Sequence, residues 1–346
     1  MKAFNAAMVT NMSDRLKVIE RVKVALVDDG VDPEYESVGK YLANNGFPLG
    51  TPDGKTVPFY TSTKQHGSKM AWVISTICPF VEIYVAKMDN YHELDLGNPA
   101  FDPERAVKVR SQPTSVILFH TPWSKKSGFQ IANNTNYIQA VEWALKRDAD
   151  ILSMSWLFRY TQAVEEHTNE LTRLLDHSPY SKPPIMYCAA KDTRGDDSAS
   201  ATYYPAGCNL TQTVGAADIH CKPKPYVTLE DTEWLFPGTN VFEDPADSGN
   251  SVATAVAAGV AALVLFCLND VGVQWDQIKP KVTPKQLMEQ LFKGLQDEHS
   301  KTKYVDLAKL FKFEENELEK ISSRFLVDRL IHYIPGLRDA IGRSRI

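Results

Sequence analysis

The chain of 346 residues contains no internal repeat, no Cys-x-x-Cys pair, no long lysine or arginine run and no glycine–serine linker. Its five cysteines, Cys78, Cys188, Cys208, Cys221 and Cys267, are odd in number and widely spaced, with no Cys/His cluster at zinc spacing. That excludes a disulfide-stapled scaffold and a structural zinc site, and a reducing, cytoplasmic setting is expected. Basic side chains number 38 against 43 acidic, a net charge of −5. Phosphate backbones are held by concentrated positive charge, so nucleic acid has no support as a partner. Eighteen glycines and 20 prolines are ordinary usage, which excludes collagen-like and low-complexity chains. Met1 to Val9 is too short, and too polar at Asn5, for the apolar segment of a secretory signal.

One charge-free stretch, Ser251 to Leu268, approaches the length that spans a bilayer. Its first half, Val252 to Gly259, consists of small residues suited to close backbone packing. It is read as the buried central helix of an α/β domain, and no membrane partner is expected. Apolar runs of strand length occur at 22–27, 82–86, 115–119, 151–156 and 185–190, and segments with helical spacing at 66–77, 136–147 and 161–176 lie between them. This alternation predicts an α/β fold with a central, mostly parallel sheet and helices on both faces, and active sites of such sheets lie beyond the carboxyl ends of the strands. Polar insertions are expected at 89–113 and 122–128. From Thr283-Pro284 onward the chain reads as charged and helical, over 285–295, 305–313 and 316–333.

Three segments carry groups with chemical potential. Val24 to Val27 is a buried-type strand that runs into Asp28-Asp29-Gly30, where an acid could be held rigidly against a base or simply cap a turn. His66 opens a helix after a polar loop, and a neutral imidazole titrates close to working pH, although a loop histidine is ordinarily just surface. Ser251 follows Gly249-Asn250 at the start of the small-residue helix. A helix-capping serine explains it, and so does a nucleophile whose developing oxyanion meets the positive end of the helix dipole.

The order acid, histidine, serine is one of the known chain orders of a serine-protease triad. Val27-Asp28-Asp29-Gly30 resembles the Asp-Ser/Thr-Gly segment of subtilisin-like serine proteases. His66-Gly67-Ser68-Lys69-Met70-Ala71 resembles their His-Gly-Thr-x-Val-Ala, and Gly249-Asn250-Ser251-Val252-Ala253-Thr254 their Gly-Thr-Ser-Met-Ala-Thr/Ser. Between these lie Ile151 to Ser155 at the substrate-lining strand, Ala189-Ala190-Lys191-Asp192 at the Ala-Ala-Gly-Asn place, Tyr204-Pro205-Ala206, and Phe236-Pro237-Gly238. The resemblance covers about residues 20 to 310, and its details look most like intracellular fungal domains of this family. It implies a three-layer subtilisin-like catalytic domain over 21–310, with an N-terminal extension at 1–20 and a C-terminal helical extension at 311–346.

The same resemblance implies that Ser251 attacks a carbonyl, His66 carries its proton and Asp28 orients the imidazole. It also implies that Ser153, Ser155, Trp156, Leu157, Ala190 and Lys191 line the substrate groove. The substrate is then a peptide or another amide, with no metal and no cofactor called for. The chain departs from the pattern at three points. Asp192 stands at the oxyanion position, where an Asn amide usually donates; an ionised carboxylate only accepts, and a protonated one donates only if burial keeps it so. Slow turnover, an acid-shifted optimum or a reaction other than routine proteolysis follows. Trp156 and Leu157 should narrow the groove, and Lys191 either points inward, favouring an acidic substrate, or extends to solvent. Asp29 replaces a small neutral residue and reads as a solvated turn residue or as a perturbing charge. Hydrolysis is the first reading; acyl transfer or cyclisation through the same serine, and a degenerate binding module, are the alternatives.

Overall fold

Strand β1 (Val22–Asp28) turns Val22, Val24 and Leu26 to one face and Ala25 and Val27 to the other, and all five are buried. A strand covered on both faces has to be apolar at consecutive positions, which is why its run is legible without a period of two. The computed structural model describes residues 2–12, 20–50, 55–62, 64–88, 136–160, 162, 165–176, 183–192, 202–273, 282–296 and 302–341. The strand expected at 115–119 and the insertions expected at 89–113 and 122–128 lie outside them. Beside β1 run β4 (Val81–Lys87) on one side and β5 (Ile151–Met154) on the other. The sheet continues outward from β5 through β7 (Ile185–Ala189), β9 (Thr211–Ala217) and β10 (Trp234–Pro237), all parallel. The spatial order is β10-β9-β7-β5-β1-β4. Chain order therefore reverses direction at β1, and the carboxyl ends of β1 and β5 form the crevice where doubly covered parallel sheets bind ligands. Two small antiparallel pairs flank this sheet: β2 (Leu49–Gly50) with β3 (Thr56–Val57), and β6 (Phe158–Arg159) with β8 (Tyr203–Tyr204).

Helices cover both faces, as the alternation implied. On one side α3 (Asn136–Leu145) and α4 (Glu165–Asp176) pack Val141, Ala144, Leu171 and Leu174 against Leu152, Met154 and Met186. On the other side α2 (His66–Ile77) and α5 (Asn250–Asp270) share a core with Leu26, Ile83 and Val214. Helix α5 is long and apolar enough to cross a membrane, but every residue from Val252 to Leu268 is buried inside the protein. It is the core helix against which most of the sheet packs. Each buried Val, Leu or Phe there contributes about 1.5–3 kcal/mol of burial free energy.

Strand β9 escaped the sequence reading because Thr211, Gln212 and Thr213 are polar. Each is buried and takes part in a side-chain hydrogen bond: Thr211 donates to the Pro205 carbonyl at 2.7 Å, Gln212 accepts from the Trp234 indole at 2.8 Å, and Thr213 accepts from the Glu233 amide at 3.1 Å. Helix α6 (Pro284–Leu295) starts where Thr283-Pro284 predicted, with a reciprocal capping box between Thr283 and Gln286. The C-terminal helices are shorter than their periodicity suggested: α7 (Ala308–Phe311), α8 (Ser323–Leu330) and α9 (Leu337–Ala340). An unforeseen first helix, α1 (Lys2–Asn11), packs against them, with Phe4 5.4 Å from Phe311 and the Asn11 amide donating to the Ile321 carbonyl at 2.9 Å. Phe4, Met8, Leu326 and Leu330 belong to the same core as α5, so the segments set apart as extensions bury their apolar faces in the central domain.

Candidate active site

Asp28 closes β1 at its carboxyl end, His66 opens α2, and Ser251 stands in the first turn of α5. The His66 Nδ1 and Asp28 Oδ1 atoms are 2.7 Å apart, and the same carboxylate oxygen accepts the Asp29 amide at 2.8 Å. Asp28 Oδ2 is buried without a hydrogen-bond partner among the described residues. Burial pushes the Asp28 carboxyl above its ordinary value, against the pull of the neighbouring imidazole. For His66, burial is the largest single influence and acts downward. The Asp28 charge, the hydrogen bond to it and the Asp29 charge together outweigh burial, and raise the imidazole to about 9 against the weaker opposition of Lys69. An acid-shifted optimum, one outcome expected from Asp192, is therefore opposed by the surroundings of the proposed base.

His66 and Ser251 line one cleft of about 600 Å³. The Ser251 hydroxyl donates to the Ser155 carbonyl at 3.3 Å and the Ser155 hydroxyl returns a bond to the Ser251 carbonyl at 3.4 Å, so the hydrogen bond from Ser251 to His66 is not formed. Catalytic hydrogen bonds commonly tighten only when substrate fills the site. The carboxyl ends of β5 and β7 supply two walls: Ser155, Trp156 and Leu157 on one, Ala190, Lys191 and Asp192 on the other.

Several sequence expectations are corrected here. Ser153 is fully buried and does not line the cleft: it lies within β5 on the face it shares with Ile151, covered by the core of α5, while Ser155 lies beyond the carboxyl end of the strand. Trp156 borders the cleft, but the residue is 3% exposed and its ring lies with Tyr137 and Phe158 in the α3 face of the core, so it supports the wall more than it narrows the groove. Lys191 is buried rather than extended to solvent, with its ammonium 4.9 Å from the Tyr203 ring centroid. Asp192 is exposed, so the donor role that depends on a buried, protonated carboxyl has no burial behind it.

Asp29 is not a solvated turn residue: it is 1% exposed. Its Oδ1 accepts the Gly67 amide at 2.7 Å and the Ser62 hydroxyl at 2.8 Å, and its Oδ2 accepts the Lys64 amide at 3.2 Å. The turn allows this only with glycine at two places. A Cβ on Gly67 would meet the Gly30 carbonyl at 2.3 Å, and Gly30 has φ +96° with the Thr61 carbonyl 2.1 Å from where its Cβ would lie.

Three further features were not read from the sequence. Buried Asn250 accepts the Ala216 amide at 2.8 Å and donates to the Ala190 carbonyl at 2.8 Å, tying the start of α5 to β7 and β9. Lys69 pairs with Asp247, and Trp72 meets Phe242 at 5.2 Å, so the loop ahead of Ser251 is fastened to the helix that carries His66. Lys87 is 3% exposed, and its ammonium donates to the Asp29 carbonyl at 2.6 Å and the Thr61 carbonyl at 2.5 Å. Lys69 lies three residues beyond His66, one helical turn on, and that spacing was a usable signal. Asn250 was visible only as a departure from Gly-Thr-Ser. Among the described residues no group of three or more His, Cys, Asp or Glu side chains is placed to hold a metal ion.

The model of the Subtilase family matches residues 20–303. No curated protein sequence matches the chain significantly. Among solved structures, a lanthipeptide protease is similar with a TM-score of 0.56 at 17% identity, covering 88% of this chain and 90% of that one. The prenylagaramide maturation protease PagA is similar with a TM-score of 0.53 at 15% identity, covering 92% and 98%. The self-cleaved protease domain of PatA is similar with a TM-score of 0.52 at 18% identity, covering 80% and 90%. At these identities the likeness is one of fold.

Proposed function

Because the chain belongs to the subtilase family of serine peptidases, we propose that it hydrolyses peptide bonds through an acyl-enzyme on Ser251, with His66 as general base and Asp28 as its orienting acid. The observation that carries this reading is the 2.7 Å Asp28–His66 hydrogen bond in a cleft that also holds Ser251 at a helix start. A serine hydroxyl is a weak nucleophile until a base takes its proton. Asp28 Oδ1 accepts Nδ1–H of His66, which leaves Nε2 to receive the Ser251 proton and then deliver it to the departing amine. Water attacks the acyl-enzyme with the same proton path reversed. The oxyanion meets the backbone N–H groups of the first turn of α5 and the positive end of its dipole. Asp192 supplies no neutral amide there, so turnover is slow relative to a site with that donor, by about 10²–10³.

The substrate is a peptide in extended form, laid between Ser155–Leu157 and Ala190–Lys191 so that its backbone pairs with the cleft walls. The fold neighbours are proteases named for lanthipeptides and for prenylagaramide maturation, which supports cleavage of a peptide precursor over acyl transfer or a binding role. Five free thiols support a reducing, cytoplasmic setting. The test is a serine-directed phosphonate with mass analysis of peptide products: the parent is labelled on Ser251 and releases hydrolysed peptides, and Ser251→Ala does neither. An unlabelled parent, or products joined rather than cleaved, would refute the proposal.

A further inference from the structure

Two buried charged side chains beside the site, Asp29 and Lys87, have no part in the proton path. Asp29 reaches five neighbours at once. Its amide donates to Asp28 Oδ1, the oxygen that also holds the imidazole. Its carboxylate collects the Gly67 amide in the first turn of α2, the Ser62 hydroxyl and the Lys64 amide. Its carbonyl takes the Lys87 ammonium from the end of β4. A buried carboxylate is costly unless donors surround it, and here the donors are the loop and helix start that carry His66. A neutral turn residue would cap β1 without drawing those segments together.

We infer that Asp29 is a positioning residue for His66: its carboxylate clamps the start of α2 against Asp28 and sets a second fixed negative charge beside the imidazole. The inference rests on the proposed triad and deepens it. Clamping the Gly67 amide fixes the backbone next to His66, so the imidazole swings less. The charge favours the imidazolium that forms as Ser251 attacks, and raises the pH at which the free imidazole becomes available as a base. The charged groups that face His66 are Asp28 and Asp29 from the end of β1 and Lys69 from its own helix, with Lys69 paired to Asp247 in the loop ahead of α5. Lys87 stands behind Asp29 and holds its carbonyl. Lys69 opposes the two carboxylates, and their combined effect prevails.

The test is an NMR titration of the His66 ring in the full chain, for the parent, Asp29→Asn and Asp29→Ser, with thermal melting to show that each is folded. Asn keeps one oxygen to accept the Gly67 amide, and Ser is the small neutral type found at this place in the resembled pattern. The midpoint of His66 is expected to fall by about one pH unit in both variants, and the limb of kcat/KM against pH to move with it. The plateau rate is expected to fall further in Asp29→Ser than in Asp29→Asn, because Asn keeps an oxygen at the reach of Asp29 Oδ1, while the Ser hydroxyl is one bond shorter. A midpoint that stays at the parent value in a folded variant overturns the inference, since a merely structural role would leave the titration in place. The titration needs no substrate. If the midpoint falls but Ser251 resists the phosphonate, the peptidase reading fails and the charge effect of Asp29 stands; if Ser251 is labelled and the midpoint does not move, the reverse holds.

Discussion

The side-chain amide of Asn250 donates to the Ala190 carbonyl at 2.8 Å, joining the residue before the proposed nucleophile to the end of β7. Its other end accepts the Ala216 amide, so one buried side chain holds α5 in register with two strands. Asn250→Ala leaves a buried donor and a buried acceptor unpaired. It is expected to cost about 2–4 kcal/mol in a denaturant titration. Labelling of Ser251 by the phosphonate should slow as well, because the first turn of α5 loses its anchor. Unchanged stability would show that Asn250 is not holding the turn.

The pH dependence follows from His66. Only the neutral imidazole accepts the serine proton, so kcat/KM should rise with pH along a limb lying above the ordinary histidine value of 6.5 and toward about 9. The folded state raises this group above its unfolded value. Its contribution to stability is therefore fully present below the unfolded value of 6.5 and is lost as pH rises through about 9. Thermal midpoints measured across that window should fall in the parent, and the fall should be smaller in His66→Ala. A kinetic limb centred below 6.5 would contradict the assignment.

Asp192 offers a gain-of-function test. Exchanging its carboxylate for an amide supplies the neutral donor that the oxyanion otherwise lacks. Asp192→Asn is expected to raise kcat by about tenfold or more with little change in KM, within the range such donors contribute. Steady-state kinetics on one cleaved peptide decides the matter, and an equal or lower kcat would mean that the oxyanion is held elsewhere.

The pairing of Lys69 with Asp247 fastens the loop ahead of Ser251, and the two side chains are 21% and 26% exposed. A partly screened pair of this kind is worth about 0.5–1 kcal/mol. Asp247→Asn should loosen the Phe242–Ser248 wall and raise KM by about two- to fivefold, with kcat nearly constant. High salt should narrow the difference between parent and variant, and equal KM values at low salt would sink the idea.

How much could be read in advance differs from element to element. Strand β1 and helix α5 were legible because a segment buried all round must be apolar along its length, whatever it packs against. Strand β9 was not, since Thr211, Gln212 and Thr213 are acceptable in a core only once Pro205, Trp234 and Glu233 come within bonding distance. Helix α1 was missed because Phe4 and Met8 form a short apolar stripe whose partners, such as Phe311, lie some 300 residues away in the chain. In the site, Asp28, His66 and Ser251 could be nominated from motif order. The burial of Asp29, the inward turn of Ser153 and the clamp at Asn250 could not, since each depends on which remote segment arrives alongside.

The sequence by itself determined the set of reactive groups, the order in which they occur and the alternation of strand and helix that leads them to one end of a parallel sheet. Those are properties of local pattern, and local pattern survives without knowledge of distant contacts. Only the tertiary structure decided which groups lose their water and which meet: Asp29 sheltered among four donors, Lys191 folded against Tyr203, Asp192 left in solvent, and the Ser251 hydroxyl turned to Ser155. Solvent exclusion and hydrogen bonding act over a few ångströms, so they are settled by chain segments that only folding brings together.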